Sequence, residues 1–169
     1  MAELNISRVK FLIVEDTPFM TAMLRQILRT LGVTQVEDAI DGEQGYKLLR
    51  EFEPDIVLLD WQMAPTDGIE LAKRLRMSSD SPNRYLPIIM ITAHSELSRV
   101  IEARDAGVNE LLAKPIAALQ LYTRIRKIIE RPRLFVEAST YFGPDRRRRV
   151  DPSFRGIERR VAKKPAVAA

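Results

Sequence analysis

Two rhythms of apolar residues alternate along the chain. Residues 9–14 (VKFLIV), 55–60 (DIVLLD) and 87–92 (PIIMIT) are short, nearly continuous apolar runs rich in branched side chains. Such runs suit strands buried on both faces. Weaker strand signals fall at 34–37 and 110–113. Between them the apolar period lengthens to that of a helix. Phe19, Met20, Met23, Leu24, Ile27, Leu28 and Leu31 form one stripe, with Thr17 placed to cap it, Pro18 in its first turn and Gly32 at its end. Tyr46, Leu48, Leu49 and Phe52 form a second, capped by Asp41 and stopped by Pro54. Ile69, Leu71, Leu75 and Met77 form a third. A fourth helix opens at Ser95 or Glu96 and stops at Gly107. A fifth covers 117–130, with Leu119, Leu121, Ile125, Ile128 and Ile129.

The order is therefore βα repeated five times. Strands this apolar need cover on both sides, which predicts an α/β fold with a doubly wound, five-stranded parallel sheet. Right-handed crossovers leave few topologies, and the flavodoxin-like order 2-1-3-4-5 fits best. That topology places a ligand crevice at the carboxyl ends of the strands.

Chemistry gathers at those ends. The first strand ends in Glu15-Asp16, the third in Asp60 and the fourth in Thr92. Lys114-Pro115 follows the fifth. Three carboxylates brought together repel, and a hard divalent cation relieves that repulsion. Mg²⁺ takes oxygen ligands from one or two carboxylates and phosphate. A carboxylate beside it can act as a nucleophile toward phosphorus. Phosphoryl transfer asks mainly for positioning and charge neutralisation, which a lysine and a metal supply.

The segments FLIVED, DIVLLDWQMAPTDG, PIIMITA and LLAKPI, in this order and spacing, resemble the receiver domain of two-component response regulators over about residues 8–130. The resemblance implies Asp60 as phospho-acceptor. It implies Asp16 and Glu15 as the acidic pair on Mg²⁺, with the backbone carbonyl of Gln62 also facing the metal. Thr92 corresponds to the switch hydroxyl and Lys114 to the phosphoryl-binding lysine, and the bond before Pro115 is expected cis. The implied donor is a histidine kinase or phosphotransfer protein, and the implied output is altered binding of an unknown protein target. Catalysis beyond slow self-dephosphorylation is not expected. One position departs from the family pattern: Leu111 stands where an aromatic residue is usual three positions before the lysine.

Other residues read more plainly. Asp67 suits a cap of the third helix better than a ligand. His94, the sole histidine, reads as a loop residue that could tune access of water to an acyl phosphate. Trp61 is a candidate reporter of phosphorylation. An aspartyl phosphatase of the haloacid-dehalogenase type needs a second acid two residues after the nucleophile, and Gln62 stands there. A flavin binder would not need three acids and a lysine, and the fold alone decides nothing.

Charge divides the chain. Residues 131–169 hold eleven Lys/Arg against four Asp/Glu, a net of +7, and residues 1–130 sixteen against nineteen, a net of −3. A receiver over 1–130 with a basic tail over 131–169 follows. The tail carries an imperfect repeat, YFGPDRR at 141–147 and FRGIERR at 154–160. It reads as extended or disordered when free. Arginine with aromatics suits phosphate and base faces, so cyclic di-GMP or RNA are candidate ligands, and a phosphorylation-independent adaptor acting through the tail is the alternative function. Cysteine is absent, which excludes disulfides and thiolate metal sites. No stretch reaches the roughly 18 apolar residues of a spanning helix, and the first eight residues lack a signal-peptide core, so a cytoplasmic location without membrane contact is expected.

Overall fold

A computed structural model describes residues 4–147 and the backbone of 161–163. Five βα units come first: β1 (Lys10–Val14), α1 (Pro18–Thr30), β2 (Gln35–Ala39), α2 (Gly42–Glu51), β3 (Ile56–Asp60), α3 (Gly68–Met77), β4 (Ile88–Thr92), α4 (Leu97–Asp105), β5 (Glu110–Ala113) and α5 (Ala118–Glu130). Strands β2-β1-β3-β4-β5 form one parallel sheet in that order, as the sequence predicts.

The alternation of side chains along each strand divides the core in two. Phe11, Ile13, Ile56, Leu58, Ile89 and Ile91 point to the α1 and α5 side, where they meet Leu24, Leu28, Leu121 and Ile125. Leu12, Val14, Val57, Leu59, Ile88 and Met90 point the other way, onto Leu49, Leu71, Leu75 and Ala103. Both faces of the central strands are thus dry, which is why their sequences show no polar alternation.

Helix starts follow local chemistry. Asp41 accepts from the Gln44 N–H at 2.8 Å, and Asp67 closes a capping box with Glu70. Thr17 sits at the cap of α1, but its hydroxyl donates to Asp16 at 3.2 Å instead of capping the helix. Three expected core residues face solvent. Phe19 and Leu119 are each 74 % exposed, and Met77 is 49 % exposed. The buried stripes run through Leu24 and Leu28 in α1 and through Leu121, Ile125 and Ile128 in α5, leaving Phe19 and Leu119 off the packed face. In α3 the last buried position belongs to Arg76, not Met77.

Arg76 is a buried charge that the sequence does not announce. It is 1 % exposed, with its Nε donating to Gly107 O at 3.0 Å, Nη1 to Arg84 O at 2.9 Å and Nη2 to Asn109 Oδ1 at 3.1 Å. Burial holds its guanidinium down at about 9, far below the usual arginine range. The cover comes from the basic segment. Strands β6 (Phe135–Ala138), β7 (Tyr141–Pro144) and β8 (Val161–Lys163) form an antiparallel sheet in the order β7-β6-β8. Phe135, Val136, Tyr141 and Phe142 are buried. Tyr85, Phe135 and Phe142 make a triad with ring centroids 5.1–5.6 Å apart. The sequence reads this segment as extended or disordered, and residues 135–144 are instead an ordered hairpin buried against the receiver. A segment too short for its own core borrows one from α3 and the loop before β4. The second repeat copy, 154–160, lies outside the described residues.

Candidate functional site

The carboxyl ends of β1, β3 and β5 bring four of the expected side chains together. Lys114 Nζ lies 2.7 Å from Asp60 Oδ1 and 3.4 Å from Glu15 Oε2. Glu15, Asp16 and Asp60 each offer a carboxylate oxygen, and these oxygens lie within 4.8 Å of one another. Glu15 and Asp60 are buried, while Asp16 is exposed at the mouth. Glu15 is fixed from behind by the Thr17 N–H, 3.1 Å from Oε1.

Burial, and next the negative charge of Asp60, raise Glu15 above its ordinary range. Burial alone would lower Lys114. The hydrogen bond and charge of Asp60 outweigh it and raise the amine, so Lys114 stays a cation. One ammonium thus stands against three carboxyls. That imbalance suits a divalent cation bound by hard oxygen ligands, and the donor set contains no sulfur or imidazole to favour a softer metal.

Thr92 ends β4, the strand that pairs beside β3, and is buried. Its hydroxyl accepts from the His94 N–H at 2.9 Å, and its carbonyl accepts from the Lys114 N–H at 2.7 Å. Thr92 is therefore tied to the lysine loop through backbone and to the β4–α4 loop through its side chain. Gln62 reaches across with Nε2 3.3 Å from His94 Nε2, so its side chain joins the two loops that follow β3 and β4. The peptide before Pro115 is cis, as is that before Pro65. Leu111 is half-buried at the α3–α4 side of β5. Trp61 is buried beside the acceptor, and Arg99 of α4 stands 5.1 Å from its ring centre.

Sequence reasoning missed Gly68. A Cβ there would sit 2.2 Å from the Asp60 carbonyl oxygen and 3.1 Å from its carbon. Its N–H donates to Trp61 O at 2.9 Å, closing the loop over the acceptor strand. The available signal was the turn-like Thr66-Asp67-Gly68, which reads equally well as an ordinary helix start.

The family model of the response regulator receiver domain matches residues 11–126. The chain belongs to the response-regulator receiver family, the phosphoryl-accepting regulators of two-component systems. Among curated proteins it is similar to chemotaxis protein CheY-3 of Vibrio cholerae, 37% identical over 123 residues that cover 73% of this chain and 93% of that protein. Chemotaxis protein CheY of Pseudomonas aeruginosa matches at 37%, covering 73% of this chain and 98% of its own. Among solved structures, CheY4 of Vibrio cholerae superposes with a TM-score of 0.65 at 26% identity, over 71% of this chain and 98% of that one. The CheX–CheY–BeF₃–Mg complex of Borrelia burgdorferi gives 0.64 at 25% identity, over 72% and 89%.

Among the described residues no helix is long and apolar enough to cross a membrane. Three described arginines of the basic segment are engaged within the chain: Arg133 with Asn109 O and Asp145 O, Arg146 with Asp105, and Arg147 with Asp145. Arg148, Arg149, Arg155, Arg159 and Arg160, in the stretch proposed for cyclic di-GMP or RNA, lie outside the described residues.

Proposed function

We propose that this protein is a phosphorylation switch in which Asp60 accepts a phosphoryl group from a histidine kinase or phosphotransfer protein, in a site completed by Mg²⁺. The observation that carries the reading is the buried Asp60 carboxylate held 2.7 Å from an ammonium and within reach of two further carboxyls. Glu15, Asp16 and Asp60 would hold the ion, with the Gln62 carbonyl as an added oxygen. When bound, Mg²⁺ supplies charge neutralisation for the phosphoryl oxygens.

An oxygen of Asp60 forms the new bond to phosphorus while the phosphorus–nitrogen bond of the donor histidine breaks, and the departing imidazole regains its nitrogen lone pair. Lys114 moves from pairing with the carboxylate to pairing with the phosphoryl group. Burial of Asp60 removes competing water and strengthens these charge contacts. The Thr92 hydroxyl, one strand away, donates to a phosphoryl oxygen and draws the His94 loop with it. The change at α4 then alters binding of a downstream protein target. Slow self-hydrolysis of the acyl phosphate is the one turnover this reading includes. The acceptor chemistry and the similarity to chemotaxis proteins support action in the cytoplasm.

The metal half of the proposal has a pH signature. In the metal-free protein the raised Glu15 binds its proton more tightly folded than unfolded. Its contribution to stability is therefore complete below about 4.5 and falls as pH rises through its higher folded value. Mg²⁺ needs the ionised carboxyl, so its affinity rises over the same window. The expected result is a larger Mg²⁺-induced rise in melting temperature at about pH 8 than at about pH 5. Titrating Mg²⁺ while following Trp61 fluorescence tests the site itself. Saturable quenching that disappears in Asp16→Ala is expected, and a flat response in the unaltered protein would remove the metal from the account.

A further inference from the structure

Helix α4 is held unevenly. It buries only Ala103 along its length, while Leu97, Val100 and Ile101 face solvent. Its cap residue Glu96 makes no side-chain cap bond. That end joins the site through residues 93–96 and the Thr92 hydroxyl, which the His94 N–H engages.

The other end of α4 is clamped. Gly107 turns the chain at φ +84, and the buried Arg76 donates to its carbonyl. A Cβ on Gly107 would meet Arg76 Cγ at 2.8 Å and the Phe142 carbonyl at 3.2 Å, and a Cβ on Gly143 would lie 3.0 Å from Gly107 Cα. Hairpin backbone and α4–β5 turn are thus in direct contact. Arg146, just after β7, pairs with Asp105 at the last turn of α4, 2.8 Å apart, and its guanidinium stacks 4.5 Å from the Tyr141 ring centre. Partial burial would raise Asp105, yet its bonds to Arg146 and Arg104 prevail and lower it, so the pair is ionic. The hairpin side of this clamp, from Phe135 to Arg146, lies beyond residue 126, where the receiver match ends.

We infer that the C-terminal hairpin is an autoinhibitory brace, holding the far end of α4 in the arrangement that accompanies an unphosphorylated Asp60, with Asp105–Arg146 as its releasable contact. The inference rests on the acceptor reading above. A contact made in one arrangement and not in the other biases the equilibrium between them, and the bias acts reciprocally on whatever ligand favours the second arrangement. Loosening the brace must therefore tighten binding of a phosphoryl mimic at Asp60, with α4 as the link between the hairpin and the site.

The experiment is titration of the full chain with beryllofluoride in Mg²⁺, read by Trp61 fluorescence, since Arg99 of α4 stacks on that ring. Arg146→Gln and Asp105→Asn each remove one side of the surface pair and leave the core intact. Both are expected to bind the mimic at least about threefold more tightly than the unaltered chain, and the double variant no more tightly than either. Arg147→Gln, which removes the same charge one residue on from α4's partner, is expected to match the unaltered chain. Equal affinity in all variants would overturn the brace while leaving the acceptor intact. An equal shift in Arg147→Gln would also overturn it, as a general charge effect. No binding by the unaltered chain would overturn the acceptor reading, and the brace with it.

Discussion

Phe135→Ala is expected to cost the protein about 3 kcal/mol of stability, the low end for a buried phenylalanine. Phe135 is 1 % exposed and packs on Tyr85, on Phe142 and against the guanidinium of Arg76. Removing the ring opens a cavity between the hairpin and the receiver and strips cover from a charge that has no carboxylate partner among the described residues. The loss is bounded by the free energy that docks the hairpin, because the strands can separate instead of tolerating a void. Denaturant unfolding measures it. A basic tail with no core would show a change within about 0.5 kcal/mol, the usual range for a surface substitution, and that result would remove the hairpin from the folded unit. The same packing matters for any truncation designed to test the arginine run. A chain ending near Arg131 loses β6 and β7, whereas one ending at Arg147 keeps both.

Gly68→Ala is expected to lower stability by about 3 kcal/mol, the upper part of the range for overpacking, and to slow phosphorylation by more than tenfold. The atom that a Cβ would strike is the carbonyl oxygen of Asp60, with Trp61 Cα 3.2 Å away. Both are backbone, so no rotamer relieves the clash. Either α3 backs away from the site, or the end of β3 shifts and carries the acceptor away from Lys114. Denaturation and phosphorylation by acetyl phosphate separate the two effects. Normal phosphorylation in a folded variant would show that α3 moves and that the acceptor's placement does not depend on Gly68.

The sheet was legible because its central strands are apolar on both faces and short, a pattern that few other elements share. The site was legible for a related reason: parallel strands deliver their last residues to one edge, so Glu15, Asp16, Asp60 and Lys114 had to meet once the strand order was fixed. Strand β2, with one exposed edge, reads as polar alternation, and its span was placed one residue early and two short. Phe19, Met77 and Leu119 satisfied a helical period locally but fall beyond the packed stripe, which only the tertiary arrangement defines. The burial of Arg76 is not legible in the sequence, because nothing in its neighbourhood announces that Phe135 and Phe142 return to cover it. The hairpin itself was hidden by composition. Four-residue strands carry too few positions to show a period, and the arginines around them outweigh Phe135, Val136, Tyr141 and Phe142 in any reading by charge.

The intact mass of the protein after incubation with acetyl phosphate and Mg²⁺ tests the central claim most directly. The account predicts a gain of one phosphoryl group, absent when the metal is chelated and absent in Asp60→Asn. An unchanged mass in the unaltered chain, or a gain that survives Asp60→Asn, would contradict it.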